Sequence, residues 1–195
     1  MIIESKGIYI NNCYIPPFSV DEGEILIIDI CKDIPFYKFE QSFADILSGK
    51  KIDENIMITS PFLFSGRVWH ESWLKSIFSP TTIKKYIGYY THDSKKIIEK
   101  INNLDSNYLE LRLMKKDDKM ASLEATPFRL LSLFAVLAKS KFIITDMLGQ
   151  SLDGIELTWN IVNENIDNGG CCIIFDYKGH SNYVKFAKRF QKIEI

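Results

Sequence analysis

A chain of 195 residues with 46% hydrophobic positions is one domain's worth of sequence, long enough to bury a sizeable core. Lys and Arg number 24 and Asp and Glu 25, for a net charge of -1. That leaves no cationic surplus for a phosphate backbone and argues against nucleic acid as a partner. Only 10 residues are glycine, about 5% against a typical ~7%, a shortage that bears on any loop that must wrap its backbone around phosphate. The four cysteines, Cys13, Cys31, Cys171 and Cys172, contain no C-x-x-C pair. A vicinal pair suits neither an ordinary disulfide nor zinc, so reduced thiols and no metal are expected. Met1-Ile2-Ile3-Glu4 is charged too early for a signal peptide, and the longest apolar stretch, 130–138, is half a membrane span. These features predict a soluble, cytoplasmic chain, with a peripheral place at the inner face of a membrane left open.

In chain order, 7–14 and Glu24-Ile25-Leu26-Ile27-Ile28-Asp29-Ile30 read as two strands, split by Pro16-Pro17 and a Glu22-Gly23 turn. Phe36, Phe39, Phe43, Ile46 and Leu47 recur at helical spacing, and Gly49 supplies the stop. A short strand over 55–59 leads into an aromatic-rich stretch at 61–74. Helical patterns follow at 81–89 and 94–104, with Asp93 or Ser94 as N-cap. A helix over 127–140 carries Leu130, Leu131, Phe134 and Leu137 on one face. Phe142-Ile143-Ile144-Thr145-Asp146 reads as a buried strand ending in a carboxylate, 155–166 as a helix, 171–175 as a strand and 181–190 as a closing helix. Strands alternating with helices at both ends predict a mostly parallel α/β sheet flanked by helices. The whole reads as one domain, with a core from 1–59 and 127–195 and a helix-rich insertion at about 60–126.

The block Phe142-Ile143-Ile144-Thr145-Asp146-Met147-Leu148-Gly149-Gln150-Ser151-Leu152-Asp153 resembles the Walker B and D-loop region of an ABC transporter ATPase domain. Arg129 and the helix after it stand where that family has the Arg and helix that follow its signature. His180 lies near the place of the switch histidine, with Lys178 and Tyr177 as alternatives there. Gly23-Glu24 and the strand after it resemble the segment leading into the phosphate loop. Phe62-Leu63-Phe64-Ser65-Gly66-Arg67 resembles the stretch after the glutamine loop. The resemblance runs in order along nearly the whole chain and implies a P-loop NTPase-type fold.

Departures from the pattern fall on the chemistry. A phosphate loop needs glycines to turn its N–H groups toward phosphate, a Lys, and a Ser or Thr for magnesium. Here the corresponding stretch is Asp29-Ile30-Cys31-Lys32-Asp33-Ile34-Pro35, with no glycine and two carboxylates. Met147 stands where the family has its water-polarising Glu, and Leu123-Glu124-Ala125-Thr126-Pro127 replaces the signature. Because phosphoryl transfer rests on positioning and electrostatics, losing these parts together should abolish hydrolysis.

Several residues are therefore read in two ways. Asp146 is either a Walker B remnant or the polar end of a buried strand capping a helix N-terminus, and His180 either a switch remnant or a turn residue before Ser181. Tyr9 or Tyr14 could stand in for an adenine-stacking aromatic, and Lys32 or Lys38 for the phosphate-binding lysine of a rebuilt loop. By resemblance Ser151 and Asp153 imply a dimer interface, and Asp153 is also an ordinary helix-start residue. Phe62, Phe64, Trp69 and Trp73 are either core or an exposed anchor beside the coupling helix of a membrane subunit. The expectation is a degenerate, non-hydrolytic ABC-ATPase-like domain without ATP or magnesium as a working cofactor. Its implied partners are another ABC-type ATPase subunit or a second copy, with a membrane permease subunit beyond. The rivals are a nucleotide-binding sensor with a rebuilt loop and an unrelated α/β enzyme.

Overall fold

The run Ile25–Ile30 forms β5 and is buried at every position, as befits a strand covered on both faces. The computed structural model describes residues 1–31, 33–65, 79–104, 113–177, 186–187 and 189–195. Within them Leu63–Phe64 is β7, Phe142–Asp146 is β8, Cys171–Tyr177 is β9 and Phe190–Glu194 is β10. With β5 these make a parallel sheet in the order β10-β5-β9-β8-β7. The expected parallel α/β sheet is thus present. The edge strand β10 begins at Phe190, the end of the helix expected over 181–190, of which 181–185 and 188 lie outside the described residues. Phe190 pairs with Ile25 and Ile193 with Ile28, so the backbone groups of this segment are satisfied by the neighbouring strand rather than within a helical turn.

Before β5 the chain makes four strands of three residues each where the sequence pattern predicts one. Ile3–Ser5 (β1) pairs antiparallel with Phe18–Val20 (β4) and with Ile56–Ile58 (β6). Ile8–Ile10 (β2) and Cys13–Ile15 (β3) form a hairpin. The two residues of its turn, Asn11 and Asn12, have φ of 50° and 66°. Two successive left-handed residues give a tight hairpin turn, and Asn tolerates that conformation better than most side chains.

Helices cover both faces. Phe36–Leu47 (α1) buries Phe39, Phe43 and Leu47 against Leu26, Ile28, Ile173 and Phe175, with β1–β4 completing that core. Gly49, at φ 74°, ends the helix by donating to Ile46 O. On the other face, Ala125–Leu137 and Leu152–Asp167 cover Ile25, Ile27, Ile143 and Ile174. Ile83–Ile87 (α2) and Ser94–Asn102 (α3) then pack on the far side of Ala125–Leu137 (α4) through Ile87, Ile97 and Ile101. Helix α4 therefore does not bury a single face. Leu130, Leu133 and Val136 meet the sheet while Phe128, Leu131 and Ala135 meet α2 and α3, and Phe134 and Leu137 are only half-buried. The Asp93 side chain caps α3 by accepting from Lys96 N–H at 3.1 Å. No helix among the described residues is long and apolar enough to cross a membrane.

Phe43 is the hub of the first core, with the rings of Phe175, Phe39 and Phe18 at centroid distances of 5.8, 6.0 and 6.2 Å. Phe43→Ala should destabilise the fold by about 3–5 kcal/mol, read as a drop in the urea midpoint at constant slope.

Candidate functional site

In a parallel sheet the carboxyl ends of the strands are where ligands are usually held. Here β5, β8 and β9 bring Asp29, Asp146 and Asp176 to that end, all buried. Asp146 has no exposed surface, and burying a lone carboxylate is costly. Its charge is met from within the chain. The Arg129 guanidinium, on α4 and itself 6% exposed, donates to Oδ2 in a salt bridge, and Leu148 N–H donates to Oδ1 at 3.0 Å. Glu40, buried on α1, adds a side-chain hydrogen bond. Both oxygens of Asp146 are thereby engaged. Burial raises its carboxyl from the ordinary 3.8 to about 6, with Arg129 as the main opposing influence.

The loop after β8 is pinned to the start of α4. Thr126 Oγ1 accepts from Ser151 N–H at 3.1 Å. Ser151 caps Leu152–Asp167 (α5) by accepting from Gly154 N–H at 3.2 Å, so this cap, rather than Asp146, serves the helix. Asp153 lies half-buried in the first turn of α5, the end where a helix favours negative charge. Met147 is packed in the core with Leu130 and Ile155. A cleft of about 330 Å³ opens beside Arg129, lined also by Tyr37, Met120, Phe128 and Leu148.

Asp29, at the end of β5, is neutralised by Lys192 of β10 at 2.8 Å. The ammonium also meets Glu194 at 3.1 Å, and the hydrogen bond to Asp29 is the main cause that raises its pKa. Phe36, the first residue of α1, is buried and in ring contact with Tyr177 at 6.1 Å. Pro35 precedes α1 with no side-chain cap.

The other sequence-predicted residues scatter. Tyr9 is 72% exposed and lies against Tyr14 at 5.0 Å. Lys38 is exposed on α1, where its carbonyl accepts from Asn11 at 3.2 Å. Phe62 is fully buried against Phe142 and so is a core side chain, not an exposed anchor. Phe64 is half-buried in β7. Lys32, Trp69, Trp73, Lys178 and His180 lie outside the described residues. Among the described residues no group of three or more His, Cys, Asp or Glu side chains could hold a metal. The four cysteines are free thiols; burial pushes Cys171 up to about 12 and Cys172 upward as well. Sequence reasoning missed Glu40 and Lys192. The signal for Glu40 was an acid four residues after Phe36, inside the apolar stripe of α1. Lys192 fell in a segment read only as far as a closing helix.

The sequence matches no protein-family model and no curated protein. Solved structures do match. An ATP-binding subunit of an ABC transporter aligns over 100% of this chain and 88% of its own, at TM-score 0.66 and 11% identity. A nucleotide-free ATP-binding cassette from an ABC transporter aligns over 99% and 87%, at TM-score 0.65 and 14% identity. The cbiO1 protein of Clostridium perfringens, part of the ABC transporter complex cbiONQ, aligns over 98% and 84%, at TM-score 0.60 and 10% identity. At such identities the likeness is one of fold: the chain has the fold of ABC transporter ATP-binding subunits.

Two measurements probe the buried cluster and its surroundings. A Cβ on Gly154 would stand 2.4 Å from Thr126 Cγ2 and 2.8 Å from its Oγ1, so Gly154→Ala should cost about 1–3 kcal/mol in urea unfolding. Because the folded pKa of Asp146 lies above 3.8, the stability it contributes is complete below that value and is lost as pH rises through about 6. From pH 5 to 7, wild-type unfolding free energy should fall relative to that of Asp146→Asn, whose amide does not titrate. Parallel curves would show that the carboxyl keeps its ordinary pKa.

Proposed function

We propose that this chain is a non-hydrolytic subunit of ABC type, acting as the partner or regulatory half of a transport complex rather than as its motor. The observation that carries the reading is Asp146: the carboxylate at the end of β8 is closed off by Arg129, Glu40 and the Leu148 amide. A magnesium ion recruits carboxylate oxygens that still have lone pairs to give, together with phosphate oxygens from its nucleotide. Neither fits the residues present. Asp29-Ile30-Cys31-Lys32-Asp33-Ile34-Pro35 supplies no glycine to turn N–H groups inward. Met147, where a general base would stand, is a core thioether.

The fold supports the assembly half of the proposal, since the solved relatives are ATP-binding subunits and one is part of a transporter complex. On this reading the exposed Ser151 and the half-buried Asp153 face a second ATPase subunit or a second copy. By the family resemblance, the side of the domain that carries Phe64 would face a permease and hold the protein at the inner side of a membrane.

Titration calorimetry with Mg-ATP should show no binding up to about 1 mM, and a phosphate-release assay no turnover. Binding at micromolar concentration, or turnover lost in Asp146→Asn, would overturn the non-hydrolytic reading. Native copurification with identification of partners should return an ABC-type ATPase or permease; recovery of neither would sink the subunit assignment.

A further inference from the structure

At the opposite end of the sheet from Asp146, α3 and α5 each pack against α4, and a groove of about 350 Å³ stays open between them. Its floor is the C-terminal part of α4, where Phe134 and Leu137 are half-buried. Its two walls differ in chemistry. The α3 wall presents Lys96 and Lys100, one turn apart and both exposed. Lys100 Nζ stands 5.8 Å from the centre of the Phe134 ring. Asp93 on that side is tied to the N-terminus of α3 as its cap.

The α5 wall presents acceptors. Glu164 is exposed there, beside Asn165 and Asn168. Each amide nitrogen is anchored by an N–H to a backbone carbonyl, Asn165 to Lys141 O at 2.9 Å and Asn168 to Glu164 O at 2.8 Å, and the amide oxygens add acceptors beside the Glu164 carboxylate.

Donors on one side, acceptors on the other and an apolar floor between them restrict what can settle in the groove. An anion would be drawn to the lysines but repelled by Glu164, and a cation would meet the reverse. An uncharged apolar molecule would cover the floor while stripping water from both charged walls, which is unfavourable without compensation. A molecule carrying both charges on an apolar body satisfies all three surfaces. The volume falls at the lower end of small-molecule sites, and suits a compound the size of one amino acid. We propose that this groove binds a free amino acid with an apolar side chain, its carboxylate toward Lys96 and Lys100, its ammonium toward Glu164 and the two amide oxygens, and its side chain on Phe134 and Leu137. This inference is independent of the reading of the Asp146 site.

Calorimetry with L-leucine and L-phenylalanine on the intact chain tests it. Both should bind with a Kd on the order of 1 mM or tighter, as open sites with charge-assisted contacts allow. N-acetyl-L-leucine, which lacks the ammonium, and L-leucinamide, which lacks the carboxylate, should each bind at least about tenfold more weakly. Lys100→Gln and Glu164→Gln change exposed side chains and should leave the circular dichroism spectrum as it is while weakening L-leucine. Lys100→Gln should affect L-leucinamide less than L-leucine, because the amide has already lost the partner of that lysine. No heat at about 20 mM L-leucine, equal binding of the blocked compounds, or L-leucine affinity unchanged in both variants would overturn the proposal.

Discussion

A carboxylate with no exposed surface must be neutralised by something, and in this fold the carboxyl end of β8 can be met by a cation from outside or by one from within. Asp146 is met from within. Arg129 reaches it from α4, on one face of the sheet, and Glu40 from α1, on the other. The cluster thus ties the two helical layers together at the end of the sheet where a ligand would otherwise do so. Removing one member would strand a buried charge, a loss of about 3–5 kcal/mol in comparable cases. The same contacts that tie the layers together engage both oxygens of Asp146.

A second acid at that end follows the same logic. Asp29 points into the region where a phosphate loop would begin, and Lys192 from β10 supplies its counter-charge. Asp146 and Asp29 are therefore each paired with a basic residue of the chain itself. Just beyond, Phe36 packs on Tyr177.

Helix α4 holds α2 and α3 to the sheet. Its buried residues face both the sheet and the pair α2 and α3, so it acts as a shared wall. The groove beside it is a by-product of that arrangement, because α3 and α5 lean on α4 from different sides. Whatever settles there sits far from Asp146, and its chemistry is set by Lys96, Lys100 and Glu164 rather than by anything in the strand ends.

The local pattern alone carried the main elements. Mostly apolar runs at 25–30, 142–146 and 171–175 read as buried strands, and the spacing of Phe36, Phe39 and Phe43 reads as a helix. Motif order carried the fold, and the absence of glycine between Asp29 and Phe36 carried the doubt about ATP. Partners distant in the chain were beyond such a reading. Nothing local joins Glu40 to Asp146 or Asp29 to Lys192, because such hydrogen bonds and ion pairs depend on distance in space and not on spacing in sequence. Phe62 looked equally suited to surface and core until β7 placed it against Phe142. The segment at Phe190 became a strand because β5 had a free edge to satisfy its backbone. Periodicity encodes which face of an element is apolar; only packing decides which faces and charges meet.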